Sequence, residues 1–208
     1  DGAFIDGFVY SMDAFFENVH FKKEWMSLSQ IAYKSMIVNI SDAIVMNAKP
    51  KFALLSVAIP KSYTNQDLKE LSKGFKKAAK EFGIKIIGGD TISNAKLDIS
   101  VTIISTTSNP IYRKGMKKGE FLCYTGTLGL CKRDLERLFK NKEISKKSKF
   151  IKPILNADFF YEVAPFITTS MDISDGLFFE LERLSKANKL GFEFFHKIDE
   201  EIGTSGEE

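Results

Sequence analysis

The sequence predicts a mixed α/β protein built in two parts. Stretches of strand-forming residues (Phe4–Tyr10, Phe52–Ile59, Leu97–Ile104) interleave with stretches of helical periodicity (residues 28–47 and 64–82). The segment Ser108-Asn109-Pro110 breaks the pattern and reads as a domain junction, giving parts of 1–109 and 110–208. With 208 residues and 44% hydrophobic content, the chain is long enough for one large or two small domains, and its 19 phenylalanines suit a sizeable core.

Residues 3–10 supply β-formers around an Asp6-Gly7 hairpin turn, and a second strand continues through Ser11-Met12-Asp13 to Phe15-Phe16. Residues 28–47 read as a helix capped by Ser27 or Ser29, closed by Pro50. A strand over 51–59 ends at Pro60. An amphipathic helix follows from about Thr64 to Phe82, with Leu68, Leu71, Phe75, Ala78, Ala79 and Phe82 inward and Gly83 as its C-cap. The strand 84–87 is expected to end in a Gly88-Gly89-Asp90 turn, before a long strand over 97–106. Beyond the junction the reading is a strand over 121–125, a glycine-rich turn at Gly126-Thr127-Leu128-Gly129 and a helix near 131–140. A Lys-rich stretch over 141–153 is expected to be mobile. A helix over 156–164 is ended by Pro165, another runs from Leu177 to about Ala187, and a strand spans 191–195.

Composition excludes several classes of function. The net charge is only +3, and no basic stripe with interleaved aromatics points to nucleic acid; Lys146-Lys147-Ser148-Lys149 reads as a solvated loop. Cys123 and Cys131 make no disulfide framework, so a reducing, cytoplasmic setting is expected. No signal peptide and no apolar run of bilayer length is present, so no membrane partner is expected. The chain starts at Asp1 without a methionine and stops at Glu208 in mid-motif, and both ends are expected to be incomplete. There is no Walker A sequence, no protein-kinase set and no zinc spacing of Cys and His. His20 and His196 are the only histidines, and no nucleophile-elbow sequence supports a Ser-His-Asp arrangement.

Oxygen-ligand chemistry remains. Asp13, Asp42, Asp90, Asp172 and Asp175 stand in apolar settings with no Lys or Arg within four residues. Burying such carboxylates is costly, and divalent cations would offset the cost. Gly88 and Gly89 permit positive φ and close backbone approach to a ligand. The 28–47 helix is apolar around most of its circumference, apart from the stripe Ser35, Asn39, Asp42. That stripe is expected to line a site, with an internal hydrogen-bond network as the competing reading. Asp172 and Ser174 share a face if extended. Asp175 opens a helix, where a plain N-cap competes with a metal role. These loops are expected to converge on magnesium and a nucleoside triphosphate. Magnesium takes few carboxylates plus substrate phosphates, and phosphoryl transfer needs positioning and charge neutralisation more than covalent help.

Taken in order, the motifs resemble the thiamine-monophosphate kinase family, of the superfamily that includes aminoimidazole ribonucleotide synthetase, selenophosphate synthetase and a hydrogenase maturation factor. Asp1-Gly2-Ala3 resembles the end of a Gly-Asp-Asp-Ala-Ala opening, and Ser11-Met12-Asp13 with Asn18-Val19-His20-Phe21 a Ser-Thr-Asp…Val-His-Phe segment. Val38 to Asp42 with Met46 to Pro50 resembles Val-Asn-Leu-Ser-Asp…Met-Gly-Ala-x-Pro, and Ile87 to Thr91 reproduces Ile-Gly-Gly-Asp-Thr. Arg113-Lys114-Gly115 resembles Arg-Ser-Gly, and Tyr124 to Gly129 resembles Val-Thr-Gly-x-Leu-Gly. Asp172 to Leu177 is the Asp-Ile-Ser-Asp-Gly-Leu signature, and Ser205 to Glu208 is similar to the start of Gly-Gly-Glu-Asp-Tyr-Glu-Leu. Met12 stands where the family has threonine, Asn47 where it has glycine and Glu208 where it has aspartate.

The resemblance implies ATP-dependent phosphorylation of thiamine monophosphate to thiamine diphosphate, by direct in-line attack on the γ-phosphate with several magnesium ions. It implies Asp1, Ser11, Asp13, Asp42, Asp90, Asp172 and Asp175 as metal ligands, and Gly89, Asp90, Arg113 and Ser174 at ATP. His20 and Glu207 would meet the thiamine phosphate. It further implies a mixed sheet packed with helices in each of two domains, the first domain binding ATP and magnesium and pairing with a second copy as a homodimer. Two alternatives are another ATP-dependent enzyme of the superfamily and a non-catalytic magnesium–nucleotide binding module. Gly-Gly-Asp-Thr rather than Gly-Gly-Glu-Thr separates the chain from the aminoimidazole ribonucleotide synthetase type. The lack of a cysteine before Cys123 separates it from the selenophosphate synthetase type.

Overall fold

The computed structural model describes residues 1–195. The chain divides into two compact units, one of Gly2–Pro110 and one of Asp1 with the chain from Ile111 onward.

The Gly2–Pro110 unit is a five-stranded mixed sheet in the order β1-β2-β5-β3-β4, with β1 Ala3–Ile5, β2 Phe8–Phe16, β3 Lys49–Pro60, β4 Lys85–Asn94 and β5 Asp98–Thr106. The hairpin forms where expected. Ile5 pairs with Phe8 across Asp6 and Gly7, both at positive φ (50° and 84°), the two-residue turn whose twist matches that of the strands. Helix α1 (Leu28–Val45) packs across β2, β5 and β3, and α2 (Asn65–Glu81) packs on α1. Each helix starts at a reciprocal cap, Ser27 with Gln30 for α1 and Thr64 with Asp67 for α2. The helices cross closely because Gly74 has no side chain. A Cβ there would lie 2.2 Å from the Ser29 carbonyl oxygen.

Period-two alternation decides what the sheet buries. Val9, Ser11 and Phe15 of β2 and Ile99, Val101 and Ile103 of β5 point to α1, and all are at most 2% exposed. Ile31, Met36, Ile37 and Ile40 of α1, the helix that packs on both strands, are equally buried. Each such apolar side chain contributes about 1.5–3 kcal/mol of burial. On the opposite face Phe8, Tyr10, Met12 and Leu54 remain exposed, Met12 at 66%.

β3, α2 and β4 form a βαβ unit, with β3 and β4 parallel. Here one expectation is corrected. Gly88-Gly89-Asp90 is not a turn, because β4 runs straight through it and the chain reverses at residues 95–97 instead. The β3–β4 register slips between Ala53 and Leu54, so Ile87 is the extra residue of a bulge. Gly89 sits at φ 146°, and a Cβ on it would fall 1.8 Å from the Leu55 carbonyl oxygen. Gly89 serves backbone-to-backbone approach rather than reversal.

The other unit is helical among its described residues: α3 Leu130–Phe139, α4 Ala157–Val163 followed by a 3-10 turn over Ala164–Phe166, and α5 Leu177–Asn188. The strands expected over 121–125 and 191–195 do not form, and described residues 111–195 carry no sheet. β-forming residues make a strand only beside a partner; Phe121 instead stands 91% exposed. The Lys-rich stretch packs towards its end. Phe150 and Ile151 are buried, and the Ser148 hydroxyl donates to buried Asp134 at 2.5 Å. Lys149 Nζ donates to the Thr127 carbonyl at 2.9 Å. An apolar pair inside the basic run anchors it. No helix of the described residues is long and apolar enough to cross a membrane.

Candidate functional site

In the Gly2–Pro110 unit, the polar stripe of α1 is resolved residue by residue. The Ser11 hydroxyl donates to Asn39 Oδ1 at 2.6 Å, and Asn39 Nδ2 donates to the Val101 carbonyl. Ser35 donates to the Ala32 carbonyl at 2.9 Å. The internal network is therefore the reading that fits Ser35 and Asn39, and Ser11, 2% exposed, belongs to it. Asp42 differs. It is buried in the last turn of α1, at the negative end of the helix dipole, where a carboxylate gains most from a positive partner. Asp13 is half-buried on the α1-facing side of β2. Asp90 is exposed on edge strand β4 and accepts from the Thr91 amide at 2.8 Å, directly after Gly89.

His20 is set by its own loop. Its Nδ1 accepts the Phe16 amide at 3.0 Å, and its ring stacks on Phe15 with centroids 5.7 Å apart. With Nδ1 occupied as acceptor, the ring proton sits on Nε2, which is the nitrogen left to donate to an anion. Glu17 fixes the same loop by accepting the Leu97 amide at 2.8 Å.

In the other unit, Arg113 Nε donates to Asp1 Oδ1 at 2.9 Å, and its Nη2 reaches the same oxygen. A carboxylate oxygen of Asp1 lies within 4.8 Å of one of Asp172. Two carboxylates at that spacing beside a guanidinium suit a hard cation and a phosphate. The Asp172 loop then leads to an ion-pair cluster. Glu180 Oε1 accepts from the Ser174 hydroxyl at 3.2 Å and from the Asp175 amide at 3.0 Å. Arg183 Nη1 donates to both Glu180 oxygens at 2.8 and 2.9 Å, and its Nη2 reaches Asp175. These partners, Asp175 first and Glu180 second, hold Arg183 still more firmly in its charged form.

One sequence expectation changes here. Asp175 is not the N-cap of α5; Gly176, at φ 99°, holds that position. Asp175, with no Lys or Arg within four residues, is met in space by Arg183, eight positions on, and Asp1 is met by the distant Arg113. Glu207, expected at the thiamine phosphate, lies outside the described residues.

The sequence reading missed Glu180, Arg183 and Asn188. Glu180 is only 2% exposed and organises the signature loop. An acidic residue in the first turn of a helix, with arginine three positions on, was the available signal. Asn188 ends α5 and binds the Arg113 loop, a contact no local pattern announces.

The AIR synthase related protein family matches, through its N-terminal domain, over residues 1–107. Thiamine-monophosphate kinase of Rhodopirellula baltica is 33% identical over 184 residues, covering 87% of this chain and 54% of that protein. The crystal structure of thiamine monophosphate kinase from Aquifex aeolicus superposes with a TM-score of 0.84 at 26% identity, over 89% of this chain and 65% of that one. A further solved structure, AaThiL complexed with AMPPCP and TMP, shares the fold with a TM-score of 0.87 at 24% identity, over 100% of this chain and 75% of that one. The chain spans between 54% and 64% of the length of the curated relatives it matches first. Since the match takes in the hairpin, both capped helices and the Gly88-Gly89 bulge, the chain belongs to the AIR synthase related protein family.

Proposed function

We propose that the protein transfers the γ-phosphoryl group of ATP to thiamine monophosphate, giving thiamine diphosphate. The observation that carries this is the Asp1–Asp172 carboxylate pair beside Arg113, in a chain whose relatives over 80% or more of its length are thiamine-monophosphate kinases. The donors are all carboxylate oxygens, which suits magnesium. Several magnesium ions would be held by Asp13, Asp42 and Asp90 in the one unit and by Asp1, Asp172 and Asp175 in the other, and when bound they would offset the charge of the triphosphate.

Each side chain then has a defined task. Arg113 clamps phosphate oxygens through its planar fork. Gly89 holds the β4 backbone against β3 at the point where β4 would meet the nucleotide. Ser174 adds a hydroxyl donor. His20 donates from Nε2 to the phosphate of thiamine monophosphate, joined by Glu207. The attacking phosphate oxygen is already ionised, so in-line attack requires no general base. The open face of the sheet, with Tyr10 and Met12 exposed, suits pairing with a second copy as a homodimer. The two free thiols suit a cytoplasmic setting.

Release of ADP on mixing the protein with ATP, magnesium and thiamine monophosphate tests the reading. Release that depends on thiamine monophosphate supports it. Tight binding of AMPPCP with no release under any of these conditions would make the protein a nucleotide-binding module instead.

A further inference from the structure

The loop that carries Arg113 is held by a side chain outside every motif. Asn188, the last residue of α5, accepts at Oδ1 from the Gly115 amide (2.9 Å) and the Met116 amide (3.1 Å). Its Nδ2 donates to the Arg113 carbonyl (2.8 Å) and the Leu184 carbonyl (2.9 Å). Both donors and both acceptor sites of one amide are thus used, three of the four on three residues of the loop. The loop is pinned from a second side. Ser170 donates its amide to the Tyr112 carbonyl at 3.2 Å, and Glu120 takes the Lys117 amide at 2.7 Å and the Thr168 hydroxyl at 2.9 Å. At the other end of α5, Glu180 holds Ser174 and Asp175. One helix therefore ties together the two loops expected at the triphosphate.

We propose that Asn188 is a positioning residue: it fixes the Arg113–Met116 backbone so that the Arg113 guanidinium is presented to a polyphosphate. The identity of that anion rests on the kinase reading; the latch rests on the hydrogen bonds alone. Asn188 meets the backbone of Arg113 itself, while Asp1 meets its guanidinium along the Nε and Nη2 edge. A latch of this kind lowers the cost of ordering the arginine when ligand arrives.

The test uses the whole chain with Asn188→Ala, Asn188→Asp, Arg113→Ala and the double variant Asn188→Ala/Arg113→Ala. Asn188→Asp keeps the acceptor half of the latch and serves if the alanine variant folds poorly. Limited trypsin digestion reports the latch, because Arg113, Lys114, Lys117 and Lys118 are cleavage sites. Calorimetric titration with magnesium–AMPPCP and, separately, with inorganic tripolyphosphate reports the anion. The expected result is cleavage in the loop about tenfold faster in Asn188→Ala, as loop opening becomes easier. Polyphosphate affinity should fall roughly tenfold in that variant, with no further loss when it is added to Arg113→Ala. Unchanged affinity in Asn188→Ala, or losses that simply add in the double variant, overturns the proposal. Tripolyphosphate binding without AMPPCP binding overturns the kinase reading and leaves the latch in place. Failure to bind either probe overturns both.

Discussion

At Gly89 only a hydrogen fits, because the next atom, the Leu55 carbonyl oxygen, belongs to a neighbouring backbone that cannot yield. Gly89→Ala is therefore expected to cost about 3 kcal/mol or more and to part β4 from β3, measured as a lowered chemical denaturation midpoint. A variant as stable as the parent would show that the bulge is not rigid. Asp42 makes the complementary case. Asp42→Asn keeps the shape and removes the charge, so thiamine diphosphate formation should vanish while the unfolding midpoint stays within about 1 kcal/mol of the parent. Near-parental activity in that variant would remove Asp42 from the cation-binding set. Arg183 occupies the carboxylate of Asp175 as a magnesium ion would, but the pair is roughly half exposed and so weak. Arg183→Gln should lower the magnesium concentration needed for half-saturation with AMPPCP by a few fold, roughly what an exposed pair is worth. A higher requirement would mean that Arg183 serves the site rather than competing for it. Residue types in order made these carboxylates legible from sequence. Their arginine partners were not, because Asp1 and Arg113 are brought together by folding alone.

Among the elements, those whose signals are local were read correctly. Asp6-Gly7 sets a hairpin, and Ser27 and Thr64 start α1 and α2, since each depends on a few adjacent residues. Where pairing decides, sequence was a poorer guide. Gly88-Gly89 looks the same whether it turns the chain or bulges a strand, and only the β3 register distinguishes them. The stretch 121–125 has strand composition without a strand beside it. The start of α2 also carries a pH dependence. The Thr64 amide, then its hydroxyl, holds the Asp67 carboxyl below its ordinary value, with a smaller pull from Lys23. A carboxyl lowered on folding contributes stability above its unfolded pKa of about 4 and loses it as pH falls through the folded value. Helical signal followed by circular dichroism should therefore weaken below about pH 4, with Asp67→Asn less sensitive to acid over the same window. An identical acid profile for parent and variant would exclude Asp67 from the effect.

For the whole molecule, family membership follows from the N-terminal match, and the mixed α/β architecture from the sheet and its two helices. The oxygen donors are legible as an ordered set, and the structure adds local contacts within each unit: a histidine accepting at Nδ1 in the one, and in the other an arginine laid on Asp1 and a helix whose two ends hold two loops. The function proposed for them is phosphoryl transfer between two phosphates. ATP labelled at the γ-phosphorus, incubated with magnesium, thiamine monophosphate and the protein, tests this most directly. The account predicts that the label appears in thiamine diphosphate at the rate ADP forms. Label recovered only as inorganic phosphate, or left in ATP, would contradict it.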